Sequence, residues 1–321
     1  MILKAELHAH LEGTLSPDLV KRLAERNRMS LPSELFNSDD SYKWATFLEF
    51  LNAYDLASAV IKTPLDYRDV TYDYLKNCAQ ENTIYVEVMS SPDHAAMAGM
   101  SYQDHLDGIV QGIEDAKADF GIEGRIIVTC VRHLGPERAV EVAKQTVKAP
   151  HSLVVGFGMG GDENAHHPSD FSKAFSMAHE AGLQCNVHAG EMAGPESVIA
   201  VLDHLPVKRI GHGVRSIEDP NLVDRIKDEG ITLEVCPGSN IALGVYPSFE
   251  AHPFLRLREA GCKVTLSSDD PPFFHTSIGR EYDIAREQFK LTDDELTQIT
   301  KTTIENSFAD RETIDKLISR L

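Results

Sequence analysis

Cysteine is scarce in this chain and follows no pattern. Cys78, Cys130, Cys185, Cys236 and Cys262 are scattered over 321 residues, odd in number and without a Cys-x-x-Cys pair. This argues against a disulfide framework or a cysteine zinc site, and it reads as free thiols in a reducing cytosol, hence a cytoplasmic protein. Positive charge is also short. The 31 Lys and Arg against 50 Asp and Glu leave a net charge of −19, which speaks against nucleic acid or an anionic membrane as partner. No run approaches the roughly 18 apolar residues of a membrane helix. The opening residues lack the basic-then-apolar pattern of a targeting peptide. Internal repeats, low-complexity tracts and Gly/Ser linkers are missing too.

What is present is enough apolar residue, 42%, to bury a large core as one α/β barrel or two smaller domains. Short β-rich runs alternate with helical patterns, the signature of βα units and a parallel sheet. The runs are 3–10, 84–91, 125–132, 153–157, 183–188, 207–212, 231–236 and 263–268. Eight strands in one domain-sized chain predict a (β/α)8 TIM barrel, a single domain over 1–321. Ser16 before Pro17, and Thr292, are expected helix caps. The stretch from Ser30 to about Lys62 is too long for a simple βα loop. It predicts extra helices after the first strand, covering the active-site mouth.

Side-chain parity supports the barrel. Leu3, Ala5 and Leu7 share one face of the first strand, and Glu6, His8 and His10 the other. Leu183, Cys185 and Val187 oppose Gln184, Asn186 and His188, and Val264 and Leu266 oppose Thr265, Ser267 and Asp269. The sixth strand is less clean, because Arg209 and Gly211 alternate with Ile210 and His212. Glu6, Glu87 and Glu234 also fall inward. Buried carboxylates need partners: the preferred reading is that they meet metal-bound imidazoles, the alternative that the strand registers slip by one.

Four of the apolar runs end in residues suited to metal or proton chemistry: His8-Ala9-His10, His188-Ala189-Gly190-Glu191, Gly211-His212-Gly213 and Ser267-Ser268-Asp269-Asp270. Two histidines two apart on a strand project from one face and can share a zinc ion. Each motif alone has a bland reading: polar strand ends, a core histidine, or a turn at Asp270-Pro271. Together, at the strand ends of one barrel, they point to a metal-dependent hydrolase.

The ordered segments KAELHAHLEGTLSP (4–17), YVEVMSSP (85–92), GGDE (160–163), HAGE (188–191), RIGHGV (209–214), LEVCPGSN (233–240) and SSDDP (267–271) resemble the adenosine deaminase family of zinc-dependent amidohydrolases. The resemblance covers nearly the whole chain and implies one zinc ion per chain, held by His8, His10, His188 and Asp269. It implies that Glu191 donates a proton to purine N1, that Asp270 hydrogen-bonds N7, that the Gly161 backbone contacts N3, and that His212 orients the attacking water. It also places His10 and Glu12 near the substrate and suggests an apolar lid of Phe47, Leu48 and Leu51, for which core packing is an equal account. The fourth strand ends in glycines, without the bridging lysine or acidic residue of binuclear relatives, so a mononuclear site is expected. A Pro-Cys-x-x-Cys deaminase signature is missing.

Two departures concern substrate. Glu12 stands where adenosine deaminases commonly carry a ribose-binding Asp, and it resembles bacterial adenine deaminases. Gly158-Met159 replaces a frequent Asp-Leu, whereas Gly160-Gly161-Asp162-Glu163 looks more like the nucleoside branch. The balance favours hydrolysis of adenosine, and of 2′-deoxyadenosine, to the inosine product and ammonia. The alternatives are free adenine or a modified adenine nucleoside, and a non-catalytic relative that binds a nucleoside or a protein.

Overall fold

Aliphatic and β-branched runs form the strands of the computed structural model, which describes residues 2–321. They are β1 (Lys4–His10), β2 (Thr83–Ser90), β3 (Glu123–Val131), β4 (Val154–Gly160), β5 (Gln184–Ala189), β6 (Arg209–His212), β7 (Thr232–Val235) and β8 (Lys263–Leu266). Each pairs in parallel with the next, in the order β1 to β8. A parallel bridge between Ala9 and Asp269 closes the ring. There the His10 N–H donates to the Asp269 carbonyl at 3.0 Å, and the Asp269 N–H to the His8 carbonyl at 3.1 Å. The architecture is a (β/α)8 barrel.

Ala5 and Leu7 face outward and pack with Ile304 and Leu317 of the last two helices. Val187, Ile210, Leu233 and Leu266 join the main core under the helical ring. β4 continues three residues beyond the expected end. Its glycine run carries no apolar alternation, yet the backbone stays paired with β3 as far as Gly160.

Three helices separate β1 from β2: α1 (Pro17–Arg26), α2 (Phe47–Ser58) and α3 (Pro64–Gln80). α3 packs on β2 and on the helix Tyr102–Phe120, as a barrel helix does. The extra helices are therefore α1 and α2, joined by a largely irregular segment whose bridge pairs Phe36 with Tyr42, and of the two it is α2 that lines the mouth. The Ser16 hydroxyl caps α1 through the Leu19 N–H at 3.2 Å, and Thr292 caps the helix Asp293–Glu305. The cysteines are free and buried. Among the described residues no helix is long and apolar enough to cross a membrane.

The inward carboxylates have different partners from those expected. Only Glu234 meets a site imidazole, accepting from His8 Nδ1 at 2.8 Å. Glu6 is held by Tyr74 and by the Ser268 amide and hydroxyl. Glu87 pairs with Arg209 at 2.6 Å, deeper in the barrel. Arg209 also reaches Glu234 at 2.6 Å, so one guanidinium neutralises two carboxylates that would otherwise be costly to bury.

Candidate active site

The chemistry-bearing side chains gather at the C-terminal ends of the strands, where barrel enzymes build their sites. His8 and His10 lie on β1, His188 on β5 and His212 at the end of β6, while Asp269 and Asp270 follow β8. Alternation alone brings His8, His10 and His188 inward. His212 and Asp269 need a further device: both take left-handed backbone conformations, with φ of 61° and 63°. Such strain costs about 1–3 kcal/mol and clusters at functional sites. The turn swings His212 into the barrel although Ile210, of the same parity, faces the helices. This resolves the irregular pattern of the sixth strand.

Two glycines make the room. A Cβ on Gly211 would lie 2.7 Å from His8 and 2.8 Å from His188, and one on Gly160 would lie 3.4 Å from both the His10 and His188 rings. The donor atoms of His8, His10 and His188 lie within 4.8 Å of one another, as do those of His8, His212 and Asp269. His8 Nε2 and His10 Nε2 stand 3.5 and 3.4 Å from Asp269 Oδ1. His8 Nε2, His188 Nε2 and Asp269 Oδ1 are buried without a hydrogen-bond partner among the described residues. Buried polar atoms are ordinarily paired, so convergent unpaired nitrogens and a carboxylate oxygen fit a zinc-type cation.

The electrostatics agree. Burial holds the His10 and His212 imidazoles down to about 4 and about 3 and His188 well below its ordinary value, leaving neutral nitrogens. At His8 burial acts the same way, but Asp269 and Glu234 override it and raise the group to about 10; the same field favours a metal cation at this point. Burial works against Asp269 ionising, yet His8 and His212 keep it well below the usual carboxylate range. Glu191 and Asp270 go the other way. Burial and the charge on Asp269 push both well above it. Carboxyls driven apart in this way are suited to opposite acid and base roles.

The surrounding shell was only partly foreseen. Ser239 Oγ donates to Asp269 Oδ2 at 2.6 Å, and Asn240 Nδ2 stands 3.4 Å from His212 Nδ1; both lie in the Pro237-Gly238-Ser239-Asn240 motif. Glu163, of the Gly-Gly-Asp-Glu motif, holds the loop that carries Glu191. The pocket above is lined by His10, Glu12, Gly161, Glu191, His212 and Asp270, and by Phe47 and Leu51 from α2. Leu48 does not line it. It is 70% exposed, because it lies about 100° round the helix from Phe47 and about 60° from Leu51, past the edge of the pocket-facing side. Tyr54, one turn beyond Leu51, takes the place next to the pocket.

Glu12 borders this pocket but is only 1% exposed. Its carboxylate accepts from Ser90 Oγ at 2.6 Å, Tyr67 Oη at 3.2 Å and Tyr54 Oη at 3.4 Å, and Ser90 is in turn held by His105 at 2.7 Å. The three partners of Glu12 lie far from it in sequence, and of them only Ser90 falls in one of the family-like motifs, YVEVMSSP.

Compared with known proteins, residues 3–321 match a model described as adenosine deaminase. The chain belongs to the adenosine deaminase family. A family relative named adenine deaminase, from Chelativorans sp. (strain BNC1), is 52% identical over 321 residues, covering 100% of this chain and 98% of that one. Among solved structures, the adenine deaminase of Arthrobacter aurescens superposes with a TM-score of 0.93 at 31% identity, covering 99% of this chain and 98% of that one. An amidohydrolase from Burkholderia ambifaria with bound Zn gives 0.90 at 26% identity, covering 99% and 89%. Family and relatives together identify a hydrolytic deaminase.

Proposed function

We propose that this family member hydrolyses adenine to hypoxanthine and ammonia. The observation that carries the reading is the enclosed Glu12. Its oxygens are taken up by three hydroxyls of the protein, which supports a site that does not use this residue to bind a sugar. The relative named adenine deaminase, 52% identical end to end, supports the same choice. The sequence-based balance toward adenosine thus gives way to the alternative that Glu12 itself signalled.

The residues that would hold zinc are His8, His10, His188 and Asp269, with Glu234 fixing the His8 ring through Nδ1. When bound, zinc supplies the Lewis acidity that makes water nucleophilic at neutral pH. The chain's own groups divide the proton work. Glu191, kept protonated by burial, donates to N1 as C6 is attacked, which lets the ring accept the electron pair. Asp270, also held protonated, donates to N7 and fixes the purine in its plane. His212 is neutral, and its Nε2 lies 3.5 Å from Glu191 Oε1, so it can accept a proton from the attacking water and pass it to the amino nitrogen as the C6–N bond breaks and ammonia leaves. The Gly161 backbone borders the pocket on the side assigned to N3, and Phe47 and Leu51 shield the site from solvent.

The test is a comparison of kcat/KM for adenine, adenosine and 2′-deoxyadenosine with zinc-loaded protein. Adenine is expected to lead by about a hundredfold or more, since a site discriminates through the partners it leaves unpaired. A higher kcat/KM for either nucleoside would overturn the assignment.

A further inference from the structure

One buried carboxylate is committed to a loop rather than to a cation or a ligand. Glu163 lies just past β4, 4% exposed. It accepts four successive backbone amides: those of Gly190, of Glu191 at 3.1 Å, of Met192 at 2.8 Å and of Ala193 at 2.9 Å. No ion pair to a Lys, Arg or His is found for it among the described residues. The carbonyls of the same loop are tied separately, Gly190 by the Arg215 amide at 2.9 Å and Met192 by the Arg215 guanidinium at 3.0 Å. The loop is thus fixed on both its donor and its acceptor side, and its one chemistry-bearing side chain is Glu191.

We infer that Glu163 is a positioning residue for the deamination, holding the Glu191 backbone so that its carboxyl meets the purine ring nitrogen. Burying a carboxylate against amides alone is an expensive way to order a surface turn. It is well suited to a group whose placement must be held to a fraction of an ångström. Glutamine at 163 is nearly the same size, but it would turn an NH2 toward at least one of the four N–H donors and let the loop relax. The inference rests on Glu191 being the proton donor.

The experiment measures Glu163→Gln and Glu191→Gln beside the wild type, with zinc content, kcat, KM and hydrogen exchange of the 190–193 amides as readouts. For Glu163→Gln, kcat is expected to fall about a hundredfold, with KM within about threefold. Zinc content should match the wild type, and exchange should quicken at 190–193 alone. Wild-type-like kcat in Glu163→Gln, with Glu191→Gln inactive, would overturn the inference and leave the proton donor standing. A fully active Glu191→Gln would remove the proton donor itself. If kcat, zinc content and thermal stability fall together, Glu163 serves the fold and the inference fails. Should Glu163→Gln not fold, Glu163→Asp is read by the same criteria, and failure of both to fold also counts against it.

Discussion

At the scale of single residues, the most exacting environment outside the proposed zinc ligands is that of Glu281. Its carboxyl is fully buried, with no cation paired to it among the described residues, and accepts from Thr276 and from the Gly238 amide at 3.0 Å. Burial pushes it from 4.5 up to about 7. Below about pH 4.5 the group is protonated in both folded and unfolded chain, so it contributes nothing to pH dependence. Between there and about pH 7 the unfolded chain gives up the proton first, and the folded state loses stability as pH rises. The full cost above about pH 7 is on the order of 3 kcal/mol. Glu281→Gln should keep the Gly238 contact and turn its NH2 toward Thr276. Its Tm advantage over wild type is therefore expected to be larger at about pH 8 than at about pH 5, as read by thermal melts. An equal offset at both values would refute the account. The roles of Glu281 and Glu163 were not legible in the sequence, because Glu163 is held by four backbone amides and Glu281 by one amide and the nearby Thr276 hydroxyl, and a one-dimensional pattern does not mark such partners. The proposed metal ligands and Glu191 were legible, because each stands at the end of an apolar run.

At the scale of elements, α2 decides how the mouth is walled. Its first turn is closed by a capping box in which the Glu49 N–H donates to Thr46 Oγ1 at 3.3 Å, while Glu49 Oε2 accepts the Thr46 N–H at 3.2 Å. Thr46→Ala should cost about 1 kcal/mol of local stability and loosen Phe47 and Leu51 over the pocket. A raised KM for adenine with little change in kcat is the expected result. Leu48→Ala should leave both constants unchanged, since the side chain faces solvent. Steady-state kinetics of the two variants check this, and equal effects would mean that the cap does not govern the wall. Extra helices were foreseen between Ser30 and Lys62, with Phe47, Leu48 and Leu51 as an apolar group there, but the start of α2 was not. Trp44 carries the same apolar signal, yet it lies before the Thr46 cap and is turned aside, its indole N–H donating to the Phe273 carbonyl at 3.2 Å. The eight strands were located within a few residues, apart from β4, whose glycines hide its last turns of pairing.

At the scale of the molecule, the proposed zinc ligands come from β1, β5 and the residue that bridges β8 back to β1. An ion at that point ties together strands from both ends of the barrel. Its removal should therefore be felt as lost stability as well as lost activity. Chelation is expected to lower Tm by roughly 5 °C or more, with recovery on adding zinc back. Calorimetry of the stripped and reloaded protein checks this, and an unchanged Tm would place the metal outside the ring.

The join between the first and last strands has a consequence for the order in which the protein comes into being. Glu6 beside His8, and Ser268 beside Asp269, are hydrogen-bonded across 262 positions of chain. The strand bearing the first two histidines is made before its partner β8 and must wait, unpaired on one side, until the chain between them has been made. No shorter nascent form can assemble the site. A chain stalled or cut before β8 would carry an exposed strand edge and lack Asp269 and Asp270, and it is expected to show no deamination.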